Sequence, residues 1–263
     1  MGWFDSHAWQ QRTEQRWSRQ ASSRLSSVLL EDLLERKSQD FLNHPDHQVA
    51  LEVSDPALQQ AVQGTRWLWS PASSQPTVLL PDACHTSAPK AFDAAVSSLE
   101  AHAHPDIIGW MRAWHIRLKP GASMLVYALG DQTLEPLRHA YLAAEQALAV
   151  GHALRVMPMI ALKDWGMLAQ QSGFQGSVAD VSRWQVSYPS LMACYRDFEA
   201  LNLRNTLSER YPSSLTRGLI GYAENWLREH YPNPSRPGSF LIPYSVISLS
   251  MHASADPRGI ALD

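Results

Sequence analysis

Cysteine is scarce in this chain: its 263 residues hold two, Cys84 and Cys194, far apart and in no C-x-x-C pair. That gives neither a disulfide framework nor a thiolate zinc site, and it fits a reducing cytoplasm. A charge excess is lacking too. The 22 Lys and Arg against 25 Asp and Glu leave a formal net charge of −3, with the basic residues scattered singly. A dedicated nucleic-acid binder would carry a basic stripe or patch, so nucleic acid is not an expected partner. No apolar run approaches the about 20 residues that a bilayer-crossing helix needs. The opening MGWFDSHAWQQRTEQRWSRQ is polar with interspersed aromatics and lacks the apolar core of a signal peptide. A Walker loop, a G-x-S-x-G elbow and a zinc-binding HExxH are also missing.

What is present is an alternation of short apolar runs and helical patterns. Leu25, Val28, Leu29, Leu33 and Phe41 fall near helical spacing, so residues 1–44 are expected to form an amino-terminal helical cap, ended by His44-Pro45-Asp46. Strands are expected at 48–53, 65–69, 77–80, 92–99 and 123–128. A helix is expected after Ser54-Asp55-Pro56 and another over 105–118, with Lys119-Pro120-Gly121 turning the chain into the fifth strand. Helices follow at 133–150, 164–172, 190–201 and 215–230, with β segments at 176–188 and 240–251. PNPSRPG, 232–238, reads as a surface loop. Strands alternating with helices indicate a doubly wound, mostly parallel α/β sheet. Residues 45–263 then make one domain, with helical insertions in its carboxy-terminal half.

The stretch FDAAVSSLEAHAHPDIIGWMRAWHIRLKPGASMLVY, with MPMIALKDWGMLAQQSGF and IPYSVISLSMHA further on, resembles the class I S-adenosylmethionine (SAM) methyltransferases. Within them the chain is similar to the group of the biotin-synthesis malonyl-carrier-protein methyltransferase and of the methyltransferase-like complex I assembly factor. FDSHAWQQRTEQRW and LLEDLLERKSQDFL resemble that group's amino-terminal helices. The resemblance covers almost the whole chain and implies a Rossmann-like sheet, SAM as cofactor, and transferase chemistry.

The departures fall on the cofactor loop. The family ends its first strand with an acid followed by Gly-x-Gly-x-Gly. Here Val49-Ala50-Leu51-Glu52-Val53 runs into Ser54-Asp55-Pro56-Ala57, so the acid is kept as Glu52 and the glycines are gone. Leu68 stands where the family places the acid that receives the ribose hydroxyls. By the resemblance, Glu52, Ser54, Trp69, Asp82, Ala83 and Ser97 are the residues that would line a SAM site, with Trp69 filling part of the adenosine pocket. No catalytic residue follows.

Glycine in such a loop permits positive φ and a close backbone approach, and an ordinary residue held in a strained conformation costs about 1–3 kcal/mol. Losing the ribose acid removes a charged hydrogen-bond partner worth about 1.5–3 kcal/mol. A combined deficit of about 4 kcal/mol is about a thousandfold in affinity. The expectation is a weakly SAM-binding, non-catalytic partner or assembly protein in the cytoplasm. The alternative is an active methyltransferase acting on a small carboxyl or protein acceptor.

Other motifs read as structure. His102-Ala103-His104-Pro105-Asp106 has metal-ligand residue types, but two histidines at i and i+2 are poor evidence, and a helix amino terminus explains Asp106, so no metal is expected. Cys84 lacks an activating partner, since adjacent His85 points away on an extended segment. Trp3, Phe4, Trp9 and Trp17, with Trp226, are aromatic residues of the type enriched at interfaces, which points to a homodimer or a protein partner.

Overall fold

A computed structural model describes residues 25, 29, 31–33, 47–53, 65–68, 77–78, 92–203 and 215–255. Seven strands form one sheet in the order β3-β2-β1-β4-β5-β7-β6. They are β1 Gln48–Val53, β2 Thr65–Leu68, β3 Thr77–Val78, β4 Phe92–Ser98, β5 Leu118–Leu129, β6 Phe174–Tyr188 and β7 Phe240–Ala253. β1, β2, β4 and β5 pair in parallel; β7 is antiparallel to both β5 and β6, and β3 is antiparallel to β2. Five strands therefore run one way and two the other. The mostly parallel sheet expected from the alternation is present, with β7 reversed between β5 and β6. The expected helix after Ser54 and the amino-terminal aromatics lie outside the described residues.

The period of two along the strands sorts the core into two layers. Leu51, Val53, Val96, Leu125 and Tyr127 face one side. There they meet α2 Glu135–Ala147, α4 Leu191–Ala200 and α5 Arg217–His230. Leu25, Leu29 and Leu33, spaced by four, are buried in this layer. Ala50, Ala95, Met124 and Val126 face the other side, under α1 Ile107–Arg117 and α3 Leu162–Gln171.

α1 forms where expected because Asp106 caps it, its Oδ1 accepting from Gly109 N at 2.8 Å, and because Trp110, Met111 and Trp114 put bulky apolar groups on one face. Most boundaries shift by one to a few residues from the sequence expectation, and for two of them the cause is visible. β5 begins at Leu118: Lys119-Pro120-Gly121 is an irregularity within the strand, with Gly121 at φ +79° and Lys119 Nζ 2.7 Å from Asp93 Oδ1. α2 begins at Glu135, two residues later than expected. Thr133 is drawn into β7 contacts, its Oγ1 donating to Ser245 O at 3.2 Å and accepting from Ser245 N at 3.1 Å.

Candidate functional site at the carboxyl edge of the sheet

Two rungs of the sheet end side by side where β1, β4 and β5 finish. Glu52 lies opposite Ser97, which lies opposite Val126; one step on, Val53 lies opposite Ser98 and Ser98 opposite Tyr127. Alternation sends the two rungs to opposite faces.

The Glu52 side chain turns under α1. Its Oε2 accepts from Ser97 Oγ at 2.8 Å, Trp110 Nε1 at 3.0 Å and Trp114 Nε1 at 3.3 Å. Residues i and i+4 of a helix share a face, so one turn of α1 aims both indoles at a single oxygen. The rings meet edge to face, 6.4 Å between centroids at 75°. Glu52 and Ser97 are both buried. A buried carboxylate requires such donors, since an unpaired one would be strongly disfavoured.

The second rung holds a different set. Tyr127 OH donates to Asp32 Oδ2 at 2.6 Å, which ties the amino-terminal segment to β5. The Ser98 hydroxyl is buried and has no hydrogen-bond partner among the described residues. Leu99 then takes φ +61°, a left-handed conformation that costs a non-glycine residue free energy, while its N–H donates to Tyr127 O at 2.9 Å. The exit loop is fastened to the turn after α4. Buried Glu100 accepts from Asn202 Nδ2 at 3.4 Å, and the Nε2 of buried His102 lies 2.9 Å from Leu201 O.

Of the six residues expected to line a SAM site, Glu52 and Ser97 are described, and they lie together. Ser97 bonds to Glu52, and Glu52 bonds to α1. Ser54, Trp69, Asp82 and Ala83 lie outside the described residues, as does Cys84. Among the described residues no group of three or more His, Cys, Asp or Glu could hold a metal ion, and His102 is engaged with a carbonyl. The roles of Trp110 and Trp114 were missed from sequence. The signal was there in their i, i+4 spacing on the helix that follows a strand ending in serine.

His104 Nδ1 accepts from Asp106 N at 3.1 Å beside the α1 cap. Burial pushes the ring's pKa down to about 4, against the pull of the Asp106 carboxylate. The unfolded chain titrates near the ordinary value of 6.5 and takes up a proton that the folded ring refuses. Stability from this site is therefore intact above pH 6.5 and falls as pH drops towards about 4. The melting temperature of the wild type is expected to fall more steeply over that window than that of His104→Gln. Parallel curves would refute this.

No family profile matches the chain. Individual proteins do. The arginine-hydroxylase NDUFAF5 of Danio rerio mitochondria is 32% identical over 157 residues, 59% of this chain and 49% of that protein. Its Homo sapiens counterpart is 30% identical over 165 residues, 62% of this chain and 47% of that protein. The malonyl-[acyl-carrier protein] O-methyltransferase of Xylella fastidiosa is 28% identical over 174 residues, 65% of this chain and 54% of the enzyme. The chain thus spans about half the length of the curated relatives it matches. Likeness to solved structures is looser. A SAM-dependent methyltransferase from Methanosarcina mazei overlays with a TM-score of 0.37 at 11% identity, over 83% of this chain and 97% of that one. It is the strand order, with β7 reversed between β5 and β6, that fixes the fold class. The fold is that of the Rossmann-like class I methyltransferases, and in sequence the chain is similar, over about half of their length, to NDUFAF5 and to the malonyl-[acyl-carrier protein] O-methyltransferases.

Proposed function

We propose that this chain is a methyltransferase-fold protein with a weakened SAM site, acting in the cytoplasm as a partner or assembly protein rather than as a catalyst. The observation that carries this reading is the commitment of Glu52. The one acid kept at the end of β1 has an oxygen filled by Ser97, Trp110 and Trp114, so it holds helix α1 to the sheet. Two sequence features support it: residues 54–58 read SDPAL without a glycine, and Leu68 replaces the ribose acid. Asp55 also adds negative charge near where the cofactor's carboxylate would lie.

The expected result of titrating the protein with SAM and with its demethylated product by calorimetry is a Kd above about 100 μM, a binding free energy weaker than about −5.5 kcal/mol. A low-micromolar one-to-one complex would overturn the reading. It would favour the second one, an active methyltransferase on a small carboxyl or protein acceptor. The second reading draws on the Ser98 hydroxyl, unpartnered among the described residues and beside the left-handed Leu99, since backbone strain and unsatisfied buried groups gather at ligand sites.

A further inference from the structure

The sheet ends at β6, and no strand pairs with the outer side of β6 among the described residues. This edge strand is 15 residues long. Such edges are ordinarily guarded by proline, lysine or a bulge, because their free main-chain groups invite another strand. Here the irregularity between Gln175 and Val178 guards one end, and Pro189 follows the other. Residues 178–186, VADVSRWQV, hold no proline, lysine, glycine or bulge.

The direction of the β6 main chain follows from β7. Ser245 N donates to Thr133 Oγ1 at 3.1 Å, Ser245 O accepts from Gly130 N at 2.9 Å, and Pro243 O accepts from Leu134 N at 3.3 Å, all on the side away from β6. Residues opposite each other in an antiparallel pair either both point inward or both point outward. Arg183 lies opposite Ser245 and Gln185 opposite Pro243. The odd-numbered residues of this run therefore turn their N–H and C=O groups to the open edge. Val181 belongs to that set, and its N–H is met by Oδ1 of its neighbour Asp180 at 2.8 Å. The even-numbered side chains share one face. On it Val178 is 66% exposed and Trp184 38%, with exposed Asp180 and Ser182 between them. Val178 and Trp184 lie at equal distances along the strand on either side of Val181.

We infer that β6 pairs antiparallel with β6 of a second copy, about a two-fold axis at Val181. The axis must pass at a residue, so that outward groups meet outward groups, and the choices differ in what they oppose. An axis at Asp180 sets carboxylate against carboxylate, and one at Arg183 sets guanidinium against guanidinium; like charges directly opposite are destabilising. An axis at Ser182 puts Trp184 against Asp180 and Val181 against Arg183. The axis at Val181 opposes Val178 to Trp184 and Asp180 to Ser182, each twice, at the positions where cross-strand side chains lie closest. Val181 then faces Val181, and Ala179 faces Arg183, whose Nε is held by Gln132 Oε1 at 3.1 Å. About six main-chain hydrogen bonds close across residues 179–183. Self-complementarity selects the occupant, since a two-fold contact needs one patch that matches itself in apolar size and in charge. The inference goes beyond the proposed function and does not rest on it: a tight SAM complex would overturn that reading and leave this edge untouched.

The test joins sedimentation velocity of the full chain with cysteine crosslinking. The wild type is expected to be a dimer that dissociates on dilution with a Kd of about 1–100 μM, since a single strand edge makes a small interface. Val181→Pro removes an outward donor that β7 does not use, and Val178→Asp sets a charge against Trp184; each is expected to weaken dimerisation at least about tenfold. An unchanged melting temperature establishes that a variant is folded, and Val178→Asp, at a mostly exposed side chain, serves if the proline variant is not. For the register, Asp180→Cys/Ser182→Cys is made in a Cys84→Ser background, Cys194 being buried. Oxidised glutathione is expected to link it into a covalent dimer, because the opposed pair lies within disulfide reach. Asp180→Cys alone and Ser182→Cys alone should stay unlinked, as each faces itself only under a rejected axis. A wild type that is monomeric up to about 500 μM would overturn the inference. So would a dimer unchanged by both substitutions, or one in which the cysteine pair links no better than either single cysteine. A monomer that binds extended peptides from a random library, and loses them with Val181→Pro, would assign the edge to another protein and overturn it as well.

Discussion

Glu52→Ala is expected to destabilise the fold by about 3–5 kcal/mol, measured as a shifted urea midpoint followed by circular dichroism. Three donors, from Ser97, Trp110 and Trp114, converge on Oε2 in a site closed to water. Each buried donor left without an acceptor costs about 1–3 kcal/mol. Removing a buried charge returns part of that, because the carboxylate no longer has to be desolvated. The two indoles decide the balance, since neither can turn to solvent beneath α1. Glu52→Gln keeps a carbonyl acceptor in place and is expected to cost less, about 1–2 kcal/mol. A residue kept for a ligand alone would behave differently: its alanine variant would be near neutral in stability. A shift under about 1 kcal/mol would therefore remove the main support for reading Glu52 as a structural anchor.

Arg155→Ala should be nearly as costly, about 3–5 kcal/mol, because it strands a buried carboxylate. The side chains of Arg155 and Glu145 are 9% and 3% exposed and meet at 2.5 Å. His152 approaches the same carboxylate at 3.4 Å but is two-thirds exposed, so it cannot replace the guanidinium. Replacing both partners, as Arg155→Met/Glu145→Leu, is expected to recover most of the loss, since two apolar groups leave nothing unpaired. The single variant should also loosen residues 148–156 from α2, seen as faster proteolysis there at temperatures where the rest of the chain stays folded. If the single and double variants are equally unstable, the pair is not what holds the segment.

The strands and helices of the core were legible one by one. β4, α1 and the apolar half of β5 follow from a short apolar run, a capped helix with tryptophans on one face, and a second run, all within 36 residues of sequence. These are local signals: side-chain periodicity and capping act within a few residues, so the sequence carries them directly. The absence of glycine after β1 was legible in the same way.

The sequence did not say what that change leaves behind, because the answer depends on groups far apart in the chain. By the family resemblance, Glu52 is a candidate cofactor residue. Only packing brings Trp110 and Trp114, about 60 residues away, over its carboxylate. Thr133 looks like the start of a helix until β7, more than 100 residues later, takes both hydrogen-bonding sites of its hydroxyl. The Glu145–Arg155 pair along α2 has no motif at all; it forms because the chain leaving α2 turns back on that helix. By itself the sequence determined most of the described elements, their order and the absence of glycine from residues 54–58, since each rests on neighbours in the chain. Tertiary structure alone decided which polar groups are committed to the core and which surface is left open, because hydrogen bonding and burial depend on what the fold brings into contact.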